Sequence, residues 1–64
     1  MVYLGAKMMV RLGMKFDDEG VIGYVLRKDD NSLDMWVCRV REMNGEMKEY
    51  PYHTNYILAN RLDK

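Results

Sequence analysis

Asn44-Gly45, lying between the segments Leu33 to Arg41 and Glu46 to Tyr52, constrains this chain more than any other feature. Asn-Gly is the strongest short hairpin signal, because both central positions of a type I′ turn take positive φ, which these two residues tolerate. A hairpin centred there makes the middle of the chain β-structure. In its first arm Trp36, Cys38 and Val40 alternate with Val37, Arg39 and Arg41, which is the pattern of a half-buried strand. In its second arm Pro51 lacks an amide donor, so Glu46 to Tyr52 is expected to be an edge strand or to end there.

Other segments point the same way. Val21-Ile22-Gly23-Tyr24-Val25-Leu26-Arg27-Lys28 is β-branched and aromatic, with no helix-period gap. Ile22 and Val25 are three positions apart, so a bulge or bend at Gly23 is expected to bring both to one core. Asp29-Asp30-Asn31-Ser32 reads as a turn, and Lys15-Phe16-Asp17-Asp18-Glu19-Gly20 as a loop. Lys7 to Leu12 fits either a helix or a strand. A mid-helix Gly13 would cost up to ~1 kcal/mol, which favours a strand ending at that glycine. His53-Thr54-Asn55-Tyr56 suits one tight 3-10 turn capped by Thr54 or Asn55, and Ile57 to Leu62 is expected to return as a last short strand. The expected fold is all-β: a small five-stranded barrel with one short helical turn before the closing strand.

A chain of 64 residues is a single domain spanning 1–64. At this size only roughly 60% of the unfolded surface is buried, so stability is thin. The single cysteine, Cys38, excludes an internal disulfide and a Cys-rich zinc site, leaving oligomerisation as a possible support. Ten basic and ten acidic residues cancel, so no overall field recruits nucleic acid or an anionic membrane. Residues 29 to 49, with six acidic and three basic side chains, form an acidic middle segment. No apolar run approaches the ~20 residues of a membrane-spanning helix, and no signal-peptide pattern opens the chain. A cytoplasmic protein without membrane association is the expectation.

The run Met35-Trp36-Val37-Cys38-Arg39, then Asn44-Gly45, then His53-Thr54-Asn55-Tyr56-Ile57, resembles the second half of an SH3 domain and places the chain near the SH3-like barrel superfamily. In that resemblance Met35 stands where a peptide-stacking tryptophan would be, and His53 replaces a proline. Only Asn55 and Tyr56 match the family's site. The segment Glu19-Gly20-Val21-Ile22-Gly23-Tyr24-Val25 is similar to the KOW and Tudor branch, which implies binding of RNA, nucleoprotein or other proteins. Gly5-Ala6-Lys7, the Gly23 strand and Thr54-Asn55 resemble the small stromal subunit of photosystem I, which implies docking at a larger complex. Ile22-Gly23-Tyr24 and Tyr50-Pro51 resemble type II dihydrofolate reductases, which implies an oligomeric reductase. The aligned Met47-Lys48-Glu49-Tyr50 lacks that family's active-site glutamine, which argues against reductase activity.

No phosphate-cradling glycine loop, nucleophile triad or zinc spacing occurs. Cys38, in phase with Trp36 and Val40, reads as a buried apolar residue rather than a nucleophile. His53 is the one histidine, with no second for a metal site. Asp17, Asp18 and Glu19 are consecutive and lack the spacing of a calcium loop, so they read as a solvated run. Tyr24, Tyr50, Tyr52 and Tyr56 either complete the core or form a recognition surface. Seven methionines supply adaptable apolar contacts. The expected protein is a non-enzymatic interaction module without cofactor or metal, an accessory or regulatory factor of phage or mobile-element type. Met35, Met47, Tyr52 and His53 are its candidate protein-binding residues. The alternative is nucleic-acid binding through Lys7, Arg11, Lys15, Tyr24, Arg27 and Lys28. A homo-oligomer of the reductase kind ranks third.

Overall fold

The computed structural model describes residues 9–62, so Lys7 and the opening of the strand expected at Lys7 to Leu12 lie outside the described residues. Four strands follow one another, β1 (Lys15–Asp18), β2 (Val21–Lys28), β3 (Met35–Arg41) and β4 (Met47–His53), and a helix, α1 (Thr54–Ala59), ends the series. The strands form one antiparallel sheet in the order β1-β2-β3-β4, an open meander that does not close into a barrel. The fold is mostly β. Residues 9–12 are not a strand; the Met14 N–H donates to the Arg11 carbonyl (3.1 Å), and the turn so formed feeds the chain into β1. Val10 and Met14 are buried in the core beside Phe16, Val25, Cys38 and Ile57.

The loop expected at Lys15 to Gly20 is a β-hairpin. Lys15 to Asp18 pair with Tyr24 to Val21, and Glu19 and Gly20 connect them with φ of 53° and 95°. Positive φ at both central positions defines a type I′ turn. The acidic run hid this strand, because Phe16 is its one strongly apolar residue. The Asn44-Gly45 hairpin exists but is not type I′, since Gly45 (φ 91°) is left-handed and Asn44 is not. Gly45 N–H donates to the Glu42 carbonyl (2.9 Å), and Glu42 N–H to the Glu46 carbonyl (2.7 Å), closing a three-residue loop. Asn44 serves it through its side chain, whose Oδ1 accepts from Glu46 N–H (2.9 Å).

Alternation along β2 is strict over its first half: Gly23 and Val25 face inward, while Ile22 and Tyr24 are exposed. Ile22 therefore does not join the core. The bulge expected at Gly23 lies instead between Val25 and Arg27, where the register with β3 shifts. Gly23 has a different task. It pairs with Phe16, and a Cβ built on it would lie 2.3 Å from Phe16 Cζ, so the ring occupies the space a side chain would need. Phe16 is 0% exposed.

That seating lets the sheet curl. β1 and β4 are three strand spacings apart, about 14 Å across a flat sheet. Yet the Phe16 ring meets Tyr52 of β4 edge to face, with centroids 4.8 Å apart. Asp18 of β1 likewise accepts the Tyr52 hydroxyl (2.5 Å). Only a strongly coiled sheet brings its two outer strands into such contact.

Pro51 lies in β4 opposite Val37. Glu42 N–H to Glu46 O at one end and Thr54 N–H to Asp34 O (2.8 Å) at the other set the ladder's phase. Pro51 thus falls where an N–H would point away from β3, and its missing donor removes no ladder bond. The first half of the expected closing strand at Ile57 to Leu62 is helix, and its second half makes only a single bridge, Arg61 to Phe16. Thr54, Ile57 and Leu58 fall on one helical face, and Ile57 is fully buried there. The cap is neither Thr54 nor Asn55 but His53, whose Nδ1 accepts from Asn55 N–H (2.9 Å). Thr54 Oγ1 instead accepts from Trp36 Nε1 (2.8 Å) and donates to the Asp34 carbonyl (3.1 Å), pinning the helix start under β3. After the helix, Asn60 O accepts from Asp17 N–H (2.9 Å) and Leu62 N–H donates to Lys15 O (3.0 Å), so residues 60–62 cover the free edge of β1.

Two substitutions test this account. Gly23→Ala is expected to cost about 1–3 kcal/mol in urea denaturation, because the new methyl must displace the Phe16 ring, and Phe16→Leu in the same chain should recover part of that loss. A Gly23→Ala protein as stable as wild type would contradict it. Glu19→Asn should stabilise the fold by about 0.5–1 kcal/mol, since asparagine tolerates the left-handed region better than glutamate; unchanged stability would mean that the turn is unstrained.

Candidate interaction surface

Antiparallel register sorts the strand residues into two faces. Phe16, Gly23, Val25, Cys38, Val40, Trp36 and Tyr52 share the concave side, which α1 and residues 10–14 cover. The convex side carries the row Lys15, Tyr24, Arg39, Glu49 and the pairs Asp17–Ile22 and Arg41–Met47. Among the described residues no element packs over this side. Ile22 (48%), Tyr24 (41%) and Met47 (52%) are exposed there, and Met43 is fully exposed at the adjoining hairpin tip. With Arg39 and Arg41 they line a groove of about 790 Å³.

Charge on this side is unevenly satisfied. Arg27 holds Glu49 at 3.2 Å and Asp17 Oδ1 accepts Gly20 N–H (3.1 Å), while at the groove's end Glu42 accepts the hydroxyl of Tyr50 (2.5 Å), whose register with Cys38 sets it in a core-side row. Glu42, the one acid among the groove-lining residues, keeps its charge while accepting that hydrogen bond. Lys15, Arg39 and Arg41 form no side-chain hydrogen bond or ion pair among the described residues.

On the concave side, Asp18 is the acceptor for two phenols: Oδ2 for Tyr52 and Oδ1 for Tyr56 (2.7 Å). The two rings stack with centroids 5.8 Å apart. Donating to the carboxylate favours the neutral phenol, and together with burial it pushes the Tyr56 hydroxyl up to about 12. Tyr52 is raised further, first by burial and then by the Asp18 hydrogen bond. Cys38, fully buried in the core, is pushed up to about 12 by burial, so its thiol stays protonated and unreactive.

The structure splits the expected protein-binding set. Met35 and His53 are paired at one end of the β3/β4 ladder, while Met47 sits at its other end opposite Arg41. Tyr52 lies on the opposite face, half-buried and engaged with Asp18. Of the expected nucleic-acid set, Lys15, Tyr24 and Arg27 share the convex side. Lys28 turns away, donating to the Asp29 and Ser32 carbonyls with its Nζ 5.6 Å from the Trp36 ring centroid. Arg11 precedes β1 in the turn with Leu12 and Gly13, and Lys7 is outside the described residues. Neither expected set contains Ile22, Arg39, Arg41 or Met43, which the structure brings together along the groove. Alternation in β3 already pointed Arg39 and Arg41 away from Trp36, but their sharing a groove with Tyr24 and Ile22 is a matter of strand register.

Comparison of the chain with protein-family models, with curated proteins and with solved structures found no match. Among the described residues no helix is long and apolar enough to cross a membrane.

The raised phenols give a pH dependence. A phenol whose folded pKa lies above its ordinary value of 10 contributes stability that is complete below pH 10 and is lost as pH rises towards 12. The melting temperature should fall across that window, in step with the phenolate absorbance. Asp18→Asn should start lower and fall less steeply across it. Equal slopes for the two proteins would separate the tyrosines from the carboxylate.

Proposed function

We propose that this chain is a non-enzymatic interaction module, an accessory or regulatory factor that docks on a larger protein or complex through the convex side of its sheet. One observation carries the reading: Ile22, Tyr24, Met43 and Met47 are exposed beside Arg39 and Arg41 in one groove. Tyrosine, methionine and arginine are the types enriched in the cores of protein interfaces, and contiguous exposed apolar surface marks interaction sites where scattered residues do not. The half-buried, internally bonded Tyr52 is better suited to holding the fold than to contact.

The SH3-like reading of the fold belongs to this proposal. It draws support from the strong curl of the sheet and from residues 60–62, which return to the edge of β1 where a fifth strand would pair. Lys15, Tyr24 and Arg39 in one cross-strand row favour a second reading, single-stranded nucleic acid stacked on Tyr24.

The test is recovery of a partner from the source cell with wild-type bait, followed by affinity measurements on folded variants. Tyr24→Ala and Met47→Ala should each weaken binding at least about tenfold, whereas Leu33→Ala, 90% exposed in the turn between β2 and β3, should bind normally. Equal binding by all three variants would refute the convex side as the docking surface. Binding of RNA that falls steeply with salt would favour the second reading.

A further inference from the structure

The docking reading leaves open what kind of surface fits the groove, and the charge pattern around it speaks to that question. Glu49 is ion-paired with Arg27 and Asp17 Oδ1 accepts the Gly20 N–H, while Lys15, Arg39 and Arg41 project from the same side with no ion pair or side-chain hydrogen bond among the described residues. Among the groove-lining residues two cations, Arg39 and Arg41, thus stand against a single acid, Glu42, beside the exposed Ile22, Tyr24, Met43 and Met47. We propose that the occupant of the convex side is an acidic peptide segment of a partner protein, with carboxylates on Arg39 and Arg41 and an apolar side chain seated among Ile22, Tyr24 and Met47.

The geometry fits an extended segment. Arg39 and Arg41 are alternate residues of β3, so their side chains leave the sheet about 7 Å apart, the spacing of alternate side chains in another extended chain. Guanidinium groups take carboxylates through two parallel hydrogen bonds, which adds orientation to attraction. Tyr24 lies across from Arg39, and Ile22 lines the groove with Arg41, so β2 supplies an apolar side chain near each cation. Met47 flanks Arg41 on β4, and Met43 closes the hairpin end. Nucleic acid would satisfy the cations but would leave Ile22, Met43 and Met47 against polar backbone, with Tyr24 as the single exposed ring in the groove.

This inference rests on the docking reading, and one experiment separates the two. A display library of random peptides is selected on the full chain, and the recovered peptides are measured against wild type and against an Arg39→Glu, Arg41→Glu variant whose melting temperature matches. The proposal expects peptides rich in Asp and Glu around an apolar residue, with at least about tenfold weaker binding to the charge-reversed variant. Basic or uncharged peptides, or equal binding by both proteins, would overturn the acidic occupant while leaving a docking surface in place. Failure to recover any peptide would overturn both. Displacement of the selected peptides by tighter-binding oligo(U) RNA, sensitive to the same charge reversal, would overturn the proposal in favour of nucleic acid.

Discussion

Phe16 lies on Gly23, and the curl of the sheet depends on that contact. Any side chain at position 23 would hold the ring off the strand beneath it, and the outer strands β1 and β4 would spread towards their flat-sheet separation. With the ring seated, its edge reaches Tyr52 and Tyr56, and Asp18 collects both phenolic hydroxyls. One close approach between neighbouring strands thereby joins β1, β4 and α1. In a chain this small, where burial alone leaves little margin, such a join matters more than it would in a larger domain.

The curl also divides labour between the two faces. The concave side spends its polar groups internally: Trp36 on Thr54, Thr54 on Asp34, the tyrosines on Asp18, and a protonated Cys38 packed as an apolar residue. The convex side keeps Arg39, Arg41 and several apolar side chains without such partners among the described residues, and pairs only Arg27, with Glu49. A one-sided antiparallel sheet normally presents polar residues to water. The departure from that pattern at Ile22, Tyr24 and Met47 is the reason to look for a partner there.

Some of this was legible from residues alone. The alternation from Trp36 to Val40 marked the buried face of β3, the apolar run at 21 to 28 marked β2, and Pro51 marked an edge strand. Other elements were hidden for identifiable reasons. β1 carries three charges around a single phenylalanine, so its amphipathic pattern has one point of evidence. Type I′ geometry fell on Glu19-Gly20, because the two-residue connection between paired strands demands it there whatever side chain is present. Tyr56, Ile57 and Leu58 favour a strand by composition, but the space beneath the curled sheet accepts them as one face of a helix, and His53 supplies the cap.

For the interaction surface the division is similar. Local alternation, turn residues and composition already specify short strands, the apolar side of β3 and an overall balance of charge. That Arg39 stands beside Tyr24, that Arg41 stands beside Met47 and shares a groove with Ile22, and that Glu49 is taken up by Arg27 comes from strand pairing in three dimensions. Register is a property of two strands at once, and no single strand carries the information that sets it.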